Sequence, residues 1–188
     1  MSRARDISKV LTSDTDLVTT AELNSAVSGY ITPSSTSTLT NKTLTSPTVN
    51  DSVDSYPTLK SPSETANIVA SGATGTINFD IETSGIWYYT SNASANFTLN
   101  FRYNSGTSLS SKLSVGESVT VIFMNTNGVT PYYPSTIQVD GSTVTPKIQG
   151  GTAITAGNAS AIDIYSFTII KTASAPTYLV LESQTQFK

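Results

Sequence analysis

The chain has 188 residues, 37% of them hydrophobic and only 12% charged, well under the roughly 25% charged fraction of an ordinary soluble domain. Its polarity rests on Ser, Thr and Asn, and a net charge of -3 with a pI near 4.8 leaves no broad cationic field for a polyanion, so nucleic acid is not an expected partner. Histidine and cysteine are both absent, which excludes the usual zinc and copper sites, thiol nucleophiles, disulfides and imidazole bases; no cofactor is expected, and stability must come from packing or assembly.

Residues 1–29 differ in character from the rest. Arg3, Arg5 and Lys9 cluster around a single Asp6, a pattern that reads equally as a solvated terminus and as a segment docking on an acidic surface. Ile7, Val10 and Leu11 sit at helical spacing, and Thr19-Thr20-Ala21-Glu22 fits a capping box ahead of Leu23, Ala26 and Val27, with Gly29 as a stop. The spacing predicts two short helices, each too short to be stable without a partner surface. Asp14 and Asp16 suit helix capping better than calcium ligation, since an EF-hand loop needs more ligands and a closing Glu. No stretch has the length of a signal peptide or of the roughly 20 apolar residues of a membrane helix, so synthesis in the cytosol without membrane insertion is expected.

From Tyr30 to Pro62 the chain is dominated by Ser and Thr, with Pro33, Pro47, Pro57 and Pro62 spaced along it. On composition alone this is a disordered linker. Against that stands a five-residue step between Ser34 and Val53, reading SSTST, LTNKT, LTSPT, VNDSV, with Leu39, Leu44 and Val49 five apart. In one extended strand an odd step sends successive apolar residues to opposite faces, so the chain must turn or wind at each step. One copy exposes these few apolar residues to water; several copies wound together bury them on a shared axis. The expected element is an extended, intertwined Thr/Ser-rich stalk over residues 30–62.

Residues 63–188 read as a β-domain. Apolar alternation runs through Ile77, Phe79 and Ile81, then Phe97, Leu99, Phe101 and Tyr103, then Val119, Val121 and Phe123, and again Ile162 and Ile164. Turn signals lie between the runs at Asn104-Ser105-Gly106, Asn127-Gly128 and Asp140-Gly141, the last forming the strongest hairpin signal. Regular strand spacing with no convincing helix between predicts an antiparallel β-sandwich or jelly roll, closed by Tyr178-Leu179-Val180-Leu181.

Catalysis in such a chain would rest on carboxylates. Asp80 and Glu82 are the nearest pair, but two residues apart on one strand they are explained by a solvated outer face. No catalytic or metal-binding residue is assigned; Asp51 and Asp54 are too few for a calcium site. Trp87-Tyr88-Tyr89 and Tyr132-Tyr133 offer flat apolar faces with hydrogen-bonding rims suited to sugars or protein surfaces, although neighbours on a strand point both ways and part of each cluster belongs to core or interface. The matches to the glycosylation pattern at Asn41, Asn92, Asn96 and Asn158 carry little weight in a chain so rich in Asn, Ser and Thr.

The run from Thr38 to Asn50, TLTNKTLTSPTVN, resembles a segment common in structural proteins and fibres of tailed bacteriophages, notably those of marine and cyanobacterial hosts. The opening Met1-Ser2-Arg3-Ala4-Arg5-Asp6 is similar to the start of such fibres, and Tyr178-Leu179-Val180-Leu181-Glu182-Ser183 resembles the last strand of their terminal β-domains. The resemblance implies a homotrimer located in the virion. Residues 1–29 would attach to other virion proteins of tail, neck or capsid through Arg3, Arg5, Ile7, Val10 and Leu11, and Leu39, Leu44 and Val49 would line the stalk. The β-domain would project, with Trp87, Tyr88, Tyr89, Tyr132 and Tyr133 available to a host glycan or envelope protein. So short a shaft points to a short tail fibre, a neck or head fibre, or an adaptor. Two alternatives stay open: a capsid or neck decoration protein with no receptor role, and a polysaccharide-cleaving domain working through two acids.

Overall fold

The computed structural model describes Thr43 and residues 57–188. Arg3, Arg5, Ile7, Val10 and Leu11, the two expected N-terminal helices, and the stalk residues Leu39, Leu44 and Val49 lie outside the described residues, as do Asp14, Asp16, Asp51 and Asp54. The unit from Thr58 to Lys188 begins with irregular chain to residue 66. It then runs through β1 (Asn67–Gly72), β2 (Gly75–Asp80), β3 (Ile86–Asn92), β4 (Phe97–Arg102), the one-turn helix α1 (Leu109–Lys112), β5 (Ser118–Thr126), β6 (Pro134–Val139), β7 (Ser142–Val144), β8 (Lys147–Ile148), β9 (Ile162–Ala173) and β10 (Thr177–Phe187).

The unit is mainly β, and its strands form two sheets, one in the order β1-β3-β5-β9-β10-β8 and the other β2-β4-β6-β7. The first six strands alternate between the sheets, and within each sheet they pair parallel: β1 with β3, β3 with β5, β2 with β4, β4 with β6. Antiparallel pairing is confined to β5–β9, β9–β10 and β6–β7. The expected antiparallel sandwich is therefore corrected to two mixed sheets built from three stacked passes. The reason is physical: a period of two fixes which side chains face inward, but not whether the next strand turns back beside its predecessor or crosses to the other sheet.

Small residues make the crossings possible. Ala73 and Ala93 are buried at successive corners, where Ser94 N–H donates to the Ala73 carbonyl at 3.2 Å and Ala93 N–H to the Thr126 carbonyl at 2.9 Å. Gly72 has no room for a side chain, because a Cβ there would run into the carbonyl of Asn92.

In-register stacking puts like on like. In the smaller sheet Ile77 aligns with Leu99 and Ile137, and Phe79 with Phe101 and Val139, all facing inward. The outer positions form polar rows, Thr76-Thr98-Thr136 and Asn78-Asn100-Gln138, with Asn100 Nδ2 donating to Asn78 Oδ1 at 2.8 Å. The sheets meet through aromatic rings: Phe79 lies 5.0 Å from Trp87 and Phe101 lies 4.8 Å from Phe167, with Phe79 and Phe101 themselves 5.3 Å apart within the smaller sheet. Such pairs contribute roughly 0.5–1.5 kcal/mol each beyond their buried area.

The Asp140-Gly141 hairpin forms as expected, joining β6 to β7 with Val139 opposite Ser142 and Ile137 opposite Val144. Both turn residues are left-handed, Asp140 at φ 50° and Gly141 at φ 78°, as a two-residue hairpin of this hand requires. The same Asp140 does a second job. Its carboxylate accepts from Leu109 N–H at 2.7 Å and Ser110 N–H at 2.9 Å, capping the start of α1. At the other end the buried Lys171 donates to the carbonyls of Ser110 at 2.6 Å and Leu113 at 2.8 Å. A four-residue helix has no stability of its own; its local signal is the Ser108 N-cap, whose hydroxyl accepts from Ser111 N–H at 3.2 Å, and the two charged clamps that hold it are distant in sequence.

Replacing Asp140 by Ala removes two charge-assisted caps and places a Cβ-bearing residue less tolerant of left-handed backbone in the turn. A loss of about 2–4 kcal/mol is expected, with Asp140→Asn losing about half of that; urea unfolding followed by the fluorescence of the single Trp, Trp87, measures both.

Candidate functional site

The phase of β9 and β10 sets what the larger sheet shows on each side. Residues Tyr165, Phe167 and Ile169 are fully buried, so their neighbours Ile162, Ile164 and Ile170 are turned to the opposite, outer face. The apolar alternation read at Ile162 and Ile164 is therefore the outer row of β9, and Tyr165, Phe167 and Ile169 form its inner row. On β10 Val180 and Glu182 face inward while Leu179 and Leu181 are exposed, so the Tyr178-to-Leu181 run closes the sheet with its two leucines outside.

Carrying that phase through the strands puts three charged residues inside, Asp163, Lys171 and Glu182. Lys171 is the clamp on α1. Asp163 accepts from Asn158 N–H at 2.8 Å, Asn158 Nδ2 at 2.6 Å and Asn127 Nδ2 at 3.0 Å. Asn127 Oδ1 in turn accepts from Tyr132 N–H at 2.9 Å, and the side-chain amides of Asn125 and Asn127 both donate to the Tyr132 carbonyl. This network ties the loop after β5 to the loop before β9, because each buried polar atom must find a partner among its neighbours. Burial and the nearby Asp163 push the Tyr165 phenol far above its ordinary range, and Gln184 Nε2 donates to that phenol oxygen at 3.0 Å.

Glu182 differs from Asp163 in having no comparable set of donors. It is 5% exposed, its Oε1 has no hydrogen-bond partner, and burial raises its pKa from the usual carboxylate range to about 7. It lines a cavity of about 340 Å³ with Thr136, Ile137, Val144, Ile148 and Ile154. A carboxyl in such surroundings favours its neutral form.

The carboxylates singled out in the sequence are held apart from any shared site. Asp80 is paired with Arg102, and Glu82 accepts from Asn104 Nδ2 at 2.8 Å. Among the described residues no group of three or more Asp, Glu, His or Cys converges as metal ligands do.

The aromatic set divides, as alternation along a strand requires. Trp87 is buried, stacked on Phe79, with its Nε1 unpartnered. Tyr89 faces inward as well, its ring 5.3 Å from Phe123. Tyr132 and Tyr133 pack against the core at the loop before β6. Of the expected contact set Trp87 is buried and Tyr89, Tyr132 and Tyr133 are half-buried against the core, while Tyr88 stands on the outer surface of the sheet. Around Tyr88 lies a row set by register, Ile68-Tyr88-Met124-Ile164, crossing four strands. Ile170 and Leu179 pair beside one another farther along the sheet, and Thr168 pairs with Leu181. No outward position of β1, β3, β5, β9 or β10 carries a charge, for the three charged residues of these strands all face inward.

Compared with protein-family models, with curated proteins and with solved structures, the chain finds no match.

The pH dependence of stability follows from Glu182. Its pKa is raised on folding, so between about pH 4.5 and 7 the folded chain holds a proton that the unfolded chain has released, and stability falls as pH rises through that window. Comparing urea unfolding at pH 5 and pH 8, Glu182→Gln should shrink the difference between the two by on the order of 2 kcal/mol after allowance for partial solvent access; an unchanged slope would assign the effect elsewhere.

Proposed function

We propose that the chain is a structural component of a phage virion: a short trimeric fibre that attaches to the particle through its N-terminal segment and works by binding. Attachment rests on Arg3, Arg5, Ile7, Val10 and Leu11, and trimerisation on Leu39, Leu44 and Val49 of the phased repeat. The observation that carries the reading is the repeat from Thr38 to Asn50, with its resemblance to phage fibre segments, standing before a β-unit whose larger sheet carries no outward charge on five of its six strands. A mainly β unit with stacked, in-register passes suits a fibre part, because each pass is supported by the next and the whole is stiff.

The inward placement of Trp87 and Tyr89 favours the second reading, a neck or capsid decoration protein with no receptor role. In that case the particle alone is the partner.

Analytical ultracentrifugation of the full chain is expected to show a species three times the 19.8 kDa monomer; a monomer at micromolar concentration would sink the fibre reading. The two readings separate when the trimer is added to cultured marine cyanobacteria before phage: competition for adsorption supports host contact, and unaltered infection by a phage carrying this protein supports decoration.

A further inference from the structure

We infer that the outer face of the six-stranded sheet is a self-association surface, and that what covers it is a second copy of this chain. The inference deepens the fibre reading and rests on it for the presence of further copies.

Three observations converge. The larger sheet is apolar on both faces: its three charged residues Asp163, Lys171 and Glu182 are inside among the core, while Ile68 at 61%, Leu181 at 42% and Leu179 at 37% exposure are outside. The second is the contrast with the smaller sheet, whose outer rows of Thr, Asn and Gln and its Asp80–Arg102 pair are those of a face meant for water. Third, β1, β3 and β5 form a parallel array, an arrangement that proteins ordinarily cover on both faces, and among the described residues the smaller sheet covers only one.

The chemistry of the face selects its occupant. With no charge on five of its strands, it offers nothing to a partner recognised by charge complementarity. It matches a surface equally neutral, in which Ile, Leu and Met alternate with the hydroxyls of Ser118, Thr120, Ser166 and Thr168; its own copy is such a surface. Size agrees as well. Six strands at about 4.8 Å spacing, by nine residues at about 3.3 Å, give a footprint of roughly 700 Å², close to the roughly 800 Å² per partner of a standard interface. The uncharged middle of such a face, ringed at one edge by Lys147 beside Leu181, has the core-and-rim character of association surfaces.

The test uses the full chain, which has no cysteine of its own. Ser166→Cys, at the centre of the face between Ile122 and Ser183, should give dimers with a short bis-maleimide at low micromolar protein, while Thr143→Cys on the smaller sheet should not. Met124→Lys combined with Ile164→Lys, added to Ser166→Cys, should abolish that capture while the stalk holds the sedimenting mass, with Trp87 fluorescence retained because both side chains point away from the core; Thr76→Lys with Thr143→Lys should leave the capture unchanged. If the wild-type chain is a trimer and Ser166→Cys is not captured, or is captured equally with the two lysines in place, then this face is not the interface and the fibre reading stands without it. If the wild-type chain is monomeric and uncaptured, both fail. Loss of Trp87 burial in the Lys variant leaves the decision to the cross-link, which disturbs no contact.

Discussion

The phase of β9 governs the character of the molecule. This central strand pairs with β5 on one side and β10 on the other, so the side of the sheet its residues take is imposed on two neighbours. Tyr165, Phe167 and Ile169 give it a strong inward preference, since turning them out would expose three large side chains, each contributing about 1.5–3 kcal/mol when buried. Asp163 and Lys171 share that parity and are carried in with them. A one-residue slip would free both charges and the outer isoleucines would become core; the aromatic contact of Phe167 with Phe101 across the unit, at 4.8 Å, opposes it.

Carrying charges inside has a cost that the surrounding chain offsets unequally. Asp163 receives three amide donors and Lys171 two carbonyls, and each thereby fastens a segment with little structure of its own: the loops flanking β5 and β9 in one case, α1 in the other. Glu182 receives no such support at Oε1, and it stays buried mainly by remaining protonated. The larger sheet thus holds two charges that organise loops and one whose ionisation works against the fold.

Much of the smaller sheet was legible in the sequence. Ile77 and Phe79, then Phe97, Leu99 and Phe101, alternate with Thr, Asn and charged residues, and one polar face toward water makes that pattern unambiguous. Asp140-Gly141 was legible for the same local reason, as a two-residue turn demanding left-handed backbone. What sequence reasoning missed depends on long-range partners. The crossing of successive strands between sheets is encoded in corners such as Gly72 and Ala73, whose signal is absence of bulk. The helix α1 has a local cap in Ser108 but is clamped at both ends by the distant Asp140 and Lys171. The larger sheet misled because apolar residues occur on both of its faces: Ile162, Ile164 and Ile170 alternate with Tyr165, Phe167 and Ile169, and only the position of Asp163 and Lys171 within the buried set distinguishes this strand from one with a solvated face. The aromatic clusters suffered from the same parity, which sends Trp87 and Tyr89 inward and Tyr88 outward.

That two-sided apolar pattern connects the fold to association. A strand that is apolar on both faces is the signature of a sheet covered on both sides, and β9 meets that description while the described residues of one chain cover only its inner side. Contacts made on an uncharged outer face are governed by apolar area and by paired hydroxyls such as Thr120 and Thr168, 3.1 Å apart, rather than by ion pairs, so ionic strength has little to screen there. Glu182, the carboxyl whose pKa burial raises, lies on the other side of the sheet, behind its backbone.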